Sequence, residues 1–161
     1  GRVDSHVELP HTKAPVEELR ASDFASFAAL SDMPLGMSAH MIYEALDPYF
    51  PATQSERMIH MIRAEIGFDG LLMTDDISME ALSGSLPERA TAALEAGVDI
   101  VLHCSGKLEE MQEVAPACPP LTEEALARID VGNQVFNHTP EKRDAKADLA
   151  RLDEFLKTGV A

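Results

Sequence analysis

The sequence predicts an α/β fold in which short parallel strands alternate with helices. Three short apolar runs, residues 35–38, 71–74 and 99–102, recur at intervals of roughly 30 residues, the length of one βα unit. They are apolar along most of their length, as expected of parallel strands that are covered on both faces. Segments with helical periodicity fill the intervals. Alternation of this kind is typical of parallel α/β sheets and barrels.

The helices are predicted from their apolar stripes and their end signals. One helix is predicted over residues 55–66, with Thr53 and Glu56 at the spacing of a capping box and Gly67 as its stop. A second is predicted over residues 87–97, because proline is favoured at the first helical position and glycine just past the last. The other predicted helices cover residues 23–30, 108–115, 122–135 and 140–157.

Three parallel strands raise a physical problem, because a parallel sheet must close or protect its edges. Three strands cannot close a barrel, which usually has eight. The sheet is therefore either small and open or one part of a larger barrel. Residues 1–6 start abruptly in polar, loop-like sequence, and this favours the second arrangement.

Composition excludes two classes of partner. Asp and Glu outnumber Lys and Arg by 28 to 13, and the formal net charge is −15. Such a surface repels nucleic-acid phosphates and anionic membranes, so neither is an expected partner. Cys104 and Cys118 have no metal-type spacing and are expected to be reduced, as in a cytoplasmic protein. Arg57 and Arg63 are interpreted as solvated charges on a helix surface.

Two adjacent carboxylates follow the middle apolar run. Asp75 and Asp76 come directly after residues 71–74 and should lie at the carboxyl end of that strand. This is the end where α/β barrels and open sheets bind ligands and carry out chemistry. Aspartate is equally common as a helix N-cap, so position alone leaves catalysis and capping both open.

Several segments together resemble, in the same order, the bacterial β-N-acetylhexosaminidases (β-N-acetylglucosaminidases) of glycoside hydrolase family 3. The segments are Asp4-Ser5-His6 with Leu9-Pro10, residues 37–43, Asp47 with residues 51–53 and Ser55, residues 67–79, and residues 96–99. The resemblance implies a (β/α)8 TIM barrel of which this chain supplies the C-terminal half, from the loop after the fifth strand onward. Residues 1–105 are then the second half of the catalytic barrel, and residues 106–161 are helices that pack on it.

The resemblance also implies catalytic roles. Asp75 matches the nucleophile of the family, although Thr74 precedes it where serine is more usual. His6 is implied as the acid/base and Asp4 as the residue that orients it. The chemistry is reasonable, because histidine titrates near neutral pH and a carboxylate can orient its ring. Retaining glycosidases need such a pair: a nucleophile that forms a covalent glycosyl-enzyme, and a proton donor and acceptor.

Three residues after the predicted strand over residues 35–38 are candidates for contact with the sugar. His40 and Tyr43 follow a predicted strand and could line a sugar pocket, with Met41 as an apolar wall. His40 could equally be a buried, hydrogen-bonded histidine, and methionine is often plain core filler. His103, at the end of the last strand, is interpreted as structural.

The family implies a substrate with a terminal β-linked N-acetylglucosamine, in particular cell-wall muropeptides in peptidoglycan recycling. It implies no cofactor. Much of the family's sugar-binding machinery, including a Lys-His pair, lies in the first half of the barrel. We therefore expect that half, in the same polypeptide or in another chain, as a partner, and we expect the 161 residues alone to be inactive.

Two alternatives stay open. The first is a metal-dependent barrel hydrolase with His40, Asp75, Asp76 and His103 as ligands. No tight ligand spacing such as His-X-His supports it. The second is a non-catalytic half of a split barrel that binds another chain through its open sheet edges.

Overall fold

The structure, a computed structural model, describes residues 8–136 and 144–158. Asp4 and His6, the predicted acid/base pair, lie outside these ranges. The strands are β1 (His11–Thr12), β2 (Leu35–Met37), β3 (Ile42–Tyr43), β4 (Leu71–Asp76) and β5 (Ile100–Leu102). The helices are α1 (Val16–Ala21), α2 (Asp23–Ala28), α3 (Glu56–Met61), α4 (Leu86–Ala96), α5 (Leu108–Val114), α6 (Glu123–Phe136) and α7 (Ala145–Thr158).

Strands β2, β4 and β5 form a parallel sheet with β4 in the centre. This confirms the three predicted strands and the α/β class. β4 is two residues longer than predicted, so both Asp75 and Asp76 belong to its carboxyl end. The register shifts between Met73 and Asp76, where β4 pairs with β5. A second parallel pair, β1 with β3, was not predicted, because two residues per strand are too few to show a pattern.

The predicted helix over residues 55–66 is confirmed in position and differs in detail. It comprises α3 and a following π-helical turn, Ile62–Ile66, and it ends at Gly67 in the left-handed conformation, with φ 78°. The predicted Thr53–Glu56 capping box is wrong. Ser55 is the N-cap and accepts a hydrogen bond from the backbone N–H of Met58, whereas Thr53 is fully buried.

The other predicted helices also appear, with shifted ends. Residues 23–30 correspond to α2, which α1 precedes. The proline at position 87 was predicted as the first residue of its helix and is the second, because Ser85 is the N-cap of α4 and forms a capping box with Glu88. The predictions over residues 108–115 and 122–135 correspond to α5 and α6, within one residue at each end. The prediction over residues 140–157 corresponds to α7, and its first residues, 140–143, lie outside the described ranges.

The main core lies between one face of the sheet and helices α3 and α4. Phe68 and Leu72 pack there against apolar side chains from both helices and from the segment before β5. Gly36 permits this packing, because a Cβ at that position would come within 2.7 Å of the Phe68 ring. On neighbouring positions of β2, Leu35 and Met37 are 40% and 53% exposed. Their exposure shows that the described residues cover β2 incompletely, and the three-stranded order β2-β4-β5 shows that they do not close a barrel.

A buried carboxylate joins three elements at the amino end of the sheet. Asp99 accepts hydrogen bonds from Arg63 of the π-helical turn at 2.7 Å, from Arg128 of α6 at 2.8 Å and from the Leu72 N–H at 2.7 Å. The Asp99 side chain is only 5% exposed. We call Arg63, Asp99 and Arg128 the amino-end clamp. It fastens α6 to the start of β4 and β5.

The interpretation of Arg63 as a solvated charge is therefore wrong, whereas Arg57 is exposed as expected. Besides Asp99, the Arg63 guanidinium also donates to the carbonyls of Phe68 and Gly70, at 2.9 and 2.7 Å. These partners lie in the turn into β4 and before β5, where helical periodicity gives no sign of them.

Cys104 and Cys118 are both free thiols. Among the described helices, none combines the length and the apolar character that crossing a membrane requires.

Candidate active site

The carboxyl end of β4 is held between its two neighbours in the sheet. The N–H of Asp75 donates to the carbonyl of Ser38, just past β2, at 3.1 Å. The N–H of Ile77 donates to the carbonyl of Leu102, at the end of β5, at 3.0 Å. The buried Thr74 hydroxyl accepts the Leu102 N–H at 2.9 Å. Backbone bonds on both sides therefore fix the position of the two aspartates.

Both oxygens of the Asp76 carboxylate accept hydrogen bonds. Its Oδ1 accepts the backbone N–H groups of Ser78 and Cys104 at 2.9 and 3.0 Å, and its Oδ2 accepts the Ser78 hydroxyl at 2.6 Å. Burial raises the pKa of Asp76, but the hydrogen bonds from Ser78 and Cys104 outweigh it and lower the pKa below its usual 3.8. The side chain ties the turn after β4 to the end of β5.

The Asp75 carboxylate accepts fewer hydrogen bonds from the described residues than that of Asp76. It is half-buried, and its Oδ1 accepts the N–H of the adjacent Asp76 at 2.8 Å. Within residues 8–136 and 144–158, no side chain donates a hydrogen bond to it. A nucleophile must keep a carboxylate oxygen available for the reacting carbon. Of the two aspartates, Asp75 meets this requirement.

His40 is almost completely buried, with 1% exposure, and both of its ring nitrogens have protein partners. Nδ1 lies 2.9 Å from the Thr53 hydroxyl, and Nε2 lies 2.9 Å from the Asp76 carbonyl oxygen. The Ser38 hydroxyl donates to the Thr53 hydroxyl at 3.0 Å. Sequence reasoning missed the roles of Ser38 and Thr53. The available signal was Ser38, two residues before His40 at a strand end, whereas Thr53 lies 13 residues after His40.

Tyr43 and Met41 lie on the side of His40 that leads into β3. The Tyr43 ring packs against Phe24, with 5.8 Å between the ring centroids. Burial raises the pKa of Tyr43, and the charge of Asp23 adds to the shift. Met41 is half-buried, and its carbonyl accepts the Ala52 N–H at 2.8 Å. Contact of Met41 or Tyr43 with a sugar stays a prediction. For His40 the sugar contact is likewise untested, and its surroundings are those of the alternative, a buried, hydrogen-bonded histidine.

His103 packs at the end of β5 with its side chain 8% exposed. Its Nε2 lies 3.1 Å from a Glu110 carboxylate oxygen and 3.3 Å from the Ser105 hydroxyl. His40, Asp75, Asp76 and His103 were the ligands of the alternative metal site. In the part of the chain that the structure describes, no group of three or more His, Cys, Asp or Glu side chains is placed to hold a metal ion.

The comparisons with known proteins define the class. Residues 1–132 match the glycosyl hydrolase family 3 N-terminal domain, and the chain belongs to this family. Its relatives include a beta-hexosaminidase of Idiomarina loihiensis, 35% identical over 133 residues, or 80% of this chain and 40% of that protein. The chain thus spans about two fifths of this relative's length.

Two solved structures show the same fold. One is a glycoside hydrolase family 3 beta-N-acetylglucosaminidase from Paenibacillus, with a TM-score of 0.73 and 26% identity, covering 89% of this chain and 31% of that one. The other is NagZ from Neisseria gonorrhoeae in complex with N-trifluoroacetyl-D-glucosamine. Its TM-score is 0.64 and its identity 30%, over 84% of this chain and 42% of that one.

Proposed function

We propose that this chain carries the nucleophile of a retaining β-N-acetylhexosaminidase, which removes terminal β-linked N-acetylglucosamine. The observation that carries the proposal is the contrast between two neighbouring carboxylates at the end of β4. Asp76 has three hydrogen-bond donors, whereas Asp75 has one backbone donor among the described residues. Membership of glycosyl hydrolase family 3 and the N-acyl glucosamine bound by NagZ support the reaction and the sugar.

The proposed reaction has two displacement steps. In the first, an Asp75 carboxylate oxygen bonds to the anomeric carbon as the bond to the leaving oxygen breaks. His6, oriented by Asp4, gives that oxygen its proton. In the second step His6 takes a proton from water, and the water oxygen displaces Asp75 from the anomeric carbon. This step releases the sugar with retention of configuration at the anomeric carbon. It also restores the Asp75 carboxylate and the protonated His6.

The first half of the barrel is part of the proposal, supplied by the same polypeptide or by another chain. Exposed Leu35 and Met37 on the sheet and the 40% coverage of the relative support this. We assign residues 1–105 to the catalytic barrel and residues 106–161 to helices that pack on it. We further propose muropeptides as the substrates, in a cytoplasmic recycling reaction.

Hydrolysis of a chromogenic β-N-acetylglucosaminide tests the proposal. The protein should be assayed as the 161-residue chain and as a polypeptide that also carries the first half of a family 3 barrel. We expect turnover in the second case alone, with the β-anomer as the first product seen by NMR. Asp75→Asn should abolish turnover, and Glu80→Gln, an exposed acid four residues beyond Asp76, should keep it. An α-anomer as the first product would contradict a retaining mechanism.

A further inference from the structure

We propose that His40 is a positioning residue that fixes the nucleophile through the backbone of Asp76, and not a residue that binds the sugar. The inference rests on the proposed function, because it concerns the placement of Asp75. Its basis is a chain of hydrogen bonds that runs from Ser38 through Thr53 and His40 to the Asp76 carbonyl. We call these groups the His40 relay.

The burial of His40 leaves its ring no atom with which to bind a sugar. The side chain is 1% exposed, and its two nitrogens lie 2.9 Å from Thr53 and from Asp76. Thr53 is fully buried, and Ser38 is 4% exposed. Buried polar groups are costly unless they are paired, and here each group finds its partner within the relay.

For a neutral His40 ring, the acceptor at the end of the relay determines the direction of the other bonds. A carbonyl oxygen can only accept, so the Nε2 of His40 carries a proton and donates to Asp76. In a neutral ring, Nδ1 is then an acceptor and takes the Thr53 hydroxyl proton. The Thr53 oxygen in turn accepts from the Ser38 hydroxyl. Bonds aligned in one direction polarise each other, so the relay stiffens as a unit.

The relay holds both sides of Asp75. Ser38 accepts the Asp75 N–H through its carbonyl at 3.1 Å and starts the relay through its hydroxyl. The relay ends on the carbonyl of Asp76, the next residue along β4. The segment after β2 thus fixes the peptide group that precedes Asp75 and, one residue further along β4, the peptide group that follows Asp76. Small displacements of a nucleophile have large effects on rate, so loss of the relay should lower kcat.

Removing the Thr53 hydroxyl tests the relay without touching the site. Thr53→Val keeps the shape of the side chain, whereas Thr53→Ser keeps the hydroxyl. We expect Thr53→Val to lower kcat on the N-acetylglucosaminide on the order of ten- to a hundred-fold with KM unchanged, and Thr53→Ser to restore it. The assay uses the active polypeptide that includes the first half of the barrel.

Ser55→Ala is the matched control. Ser55 is as buried as His40, and its hydroxyl bonds to Asp47 and to the backbone of α3. The control should lower the melting temperature as Thr53→Val does and keep wild-type kcat. An equal kcat in Thr53→Val and Ser55→Ala would overturn the proposal, because the Thr53 hydroxyl would then serve stability alone.

The protonation of the His40 ring provides a second measurement that needs no activity. Long-range ¹H–¹⁵N NMR of the wild-type protein should show a proton on Nε2 and an acceptor Nδ1. A proton on Nδ1 alone would overturn the relay. If the polypeptide that includes the first half of the barrel hydrolysed no N-acetylglucosaminide, the proposed function would fail, and the ring tautomer would still decide whether the relay exists.

Discussion

Acidic residues in opposite situations lie at the two ends of β4. At the amino end Asp99, which directly precedes β5, is buried, and two arginines and the Leu72 N–H satisfy it at 2.7–2.8 Å. At the carboxyl end Asp75 is half-buried, and one backbone N–H is its donor among the described residues. A satisfied buried carboxylate contributes to folding, because removing it leaves unpaired charges. A carboxylate with few partners keeps the capacity to react. The carboxylate at the amino end of β4 therefore contributes to stability, and the carboxylate at its carboxyl end is available for chemistry.

The largest expected effect is on activity, at the carboxyl end. Asp75→Asn removes the nucleophilic oxygen and should lower the rate of glycoside hydrolysis by at least about a thousand-fold. Its free energy of unfolding should change little, because no described side chain depends on Asp75. Steady-state kinetics and urea unfolding measure the two quantities. A large loss of stability would contradict the separation of roles.

The largest expected effect on stability is at the amino end. Asp99→Asn leaves Arg63 without a compensating charge and Arg128 with only the exposed Asp69, and it should lower the free energy of unfolding by about 3–5 kcal/mol. The control is Asp69→Asn, because Asp69 also contacts Arg128 but its side chain is 93% exposed. This variant should lower the free energy of unfolding by less than about 1 kcal/mol. Equal losses in the two variants would mean that burial does not give the amino-end clamp its strength.

A smaller effect should appear in the dependence of stability on pH. Hydrogen bonds lower the pKa of Asp76, and also that of Asp47, below the ordinary value of 3.8 despite their burial. The folded state therefore favours the charged carboxylates. This stabilisation is complete above pH 3.8 and is lost as the pH falls through the lower pKa of the folded state.

Asp76→Asn should weaken that dependence. Urea midpoints measured from pH 6 down to about pH 2 should fall less steeply in the variant than in the wild type, because one of the two groups no longer titrates. An unchanged slope would show that the bonds from Ser78 and Cys104 do not favour the charged form of Asp76.

The fold was largely predictable from local patterns. Apolar runs located β2, β4 and β5, and Gly67 ends its helix, as predicted. The amino-end clamp was not predictable, since Arg63 and Asp99 are 36 residues apart and only the tertiary fold brings them together. A charged residue on a predicted helix is most simply interpreted as solvated. Arg63 is instead largely buried and paired with Asp99.

The candidate site was predictable in its position and less so in its connections. The apolar run before Asp75 predicted that this aspartate lies at the carboxyl end of a strand, and β4 ends at Asp76. The partner of His40 did not follow, because Thr53 was taken for a helix cap while the hydroxyl of Ser55 takes that role. One sequence does not reveal which of two nearby hydroxyl groups caps a helix and which turns inward.

Covalent trapping tests the central claim most directly. A 5-fluoro N-acetylglucosaminyl fluoride should react with the active polypeptide and leave a glycosyl ester on the nucleophile. Peptide mass spectrometry should then locate the label on Asp75, and Asp75→Asn should take up none. A label on Asp76, or no label in a protein that turns over substrate, would contradict the account.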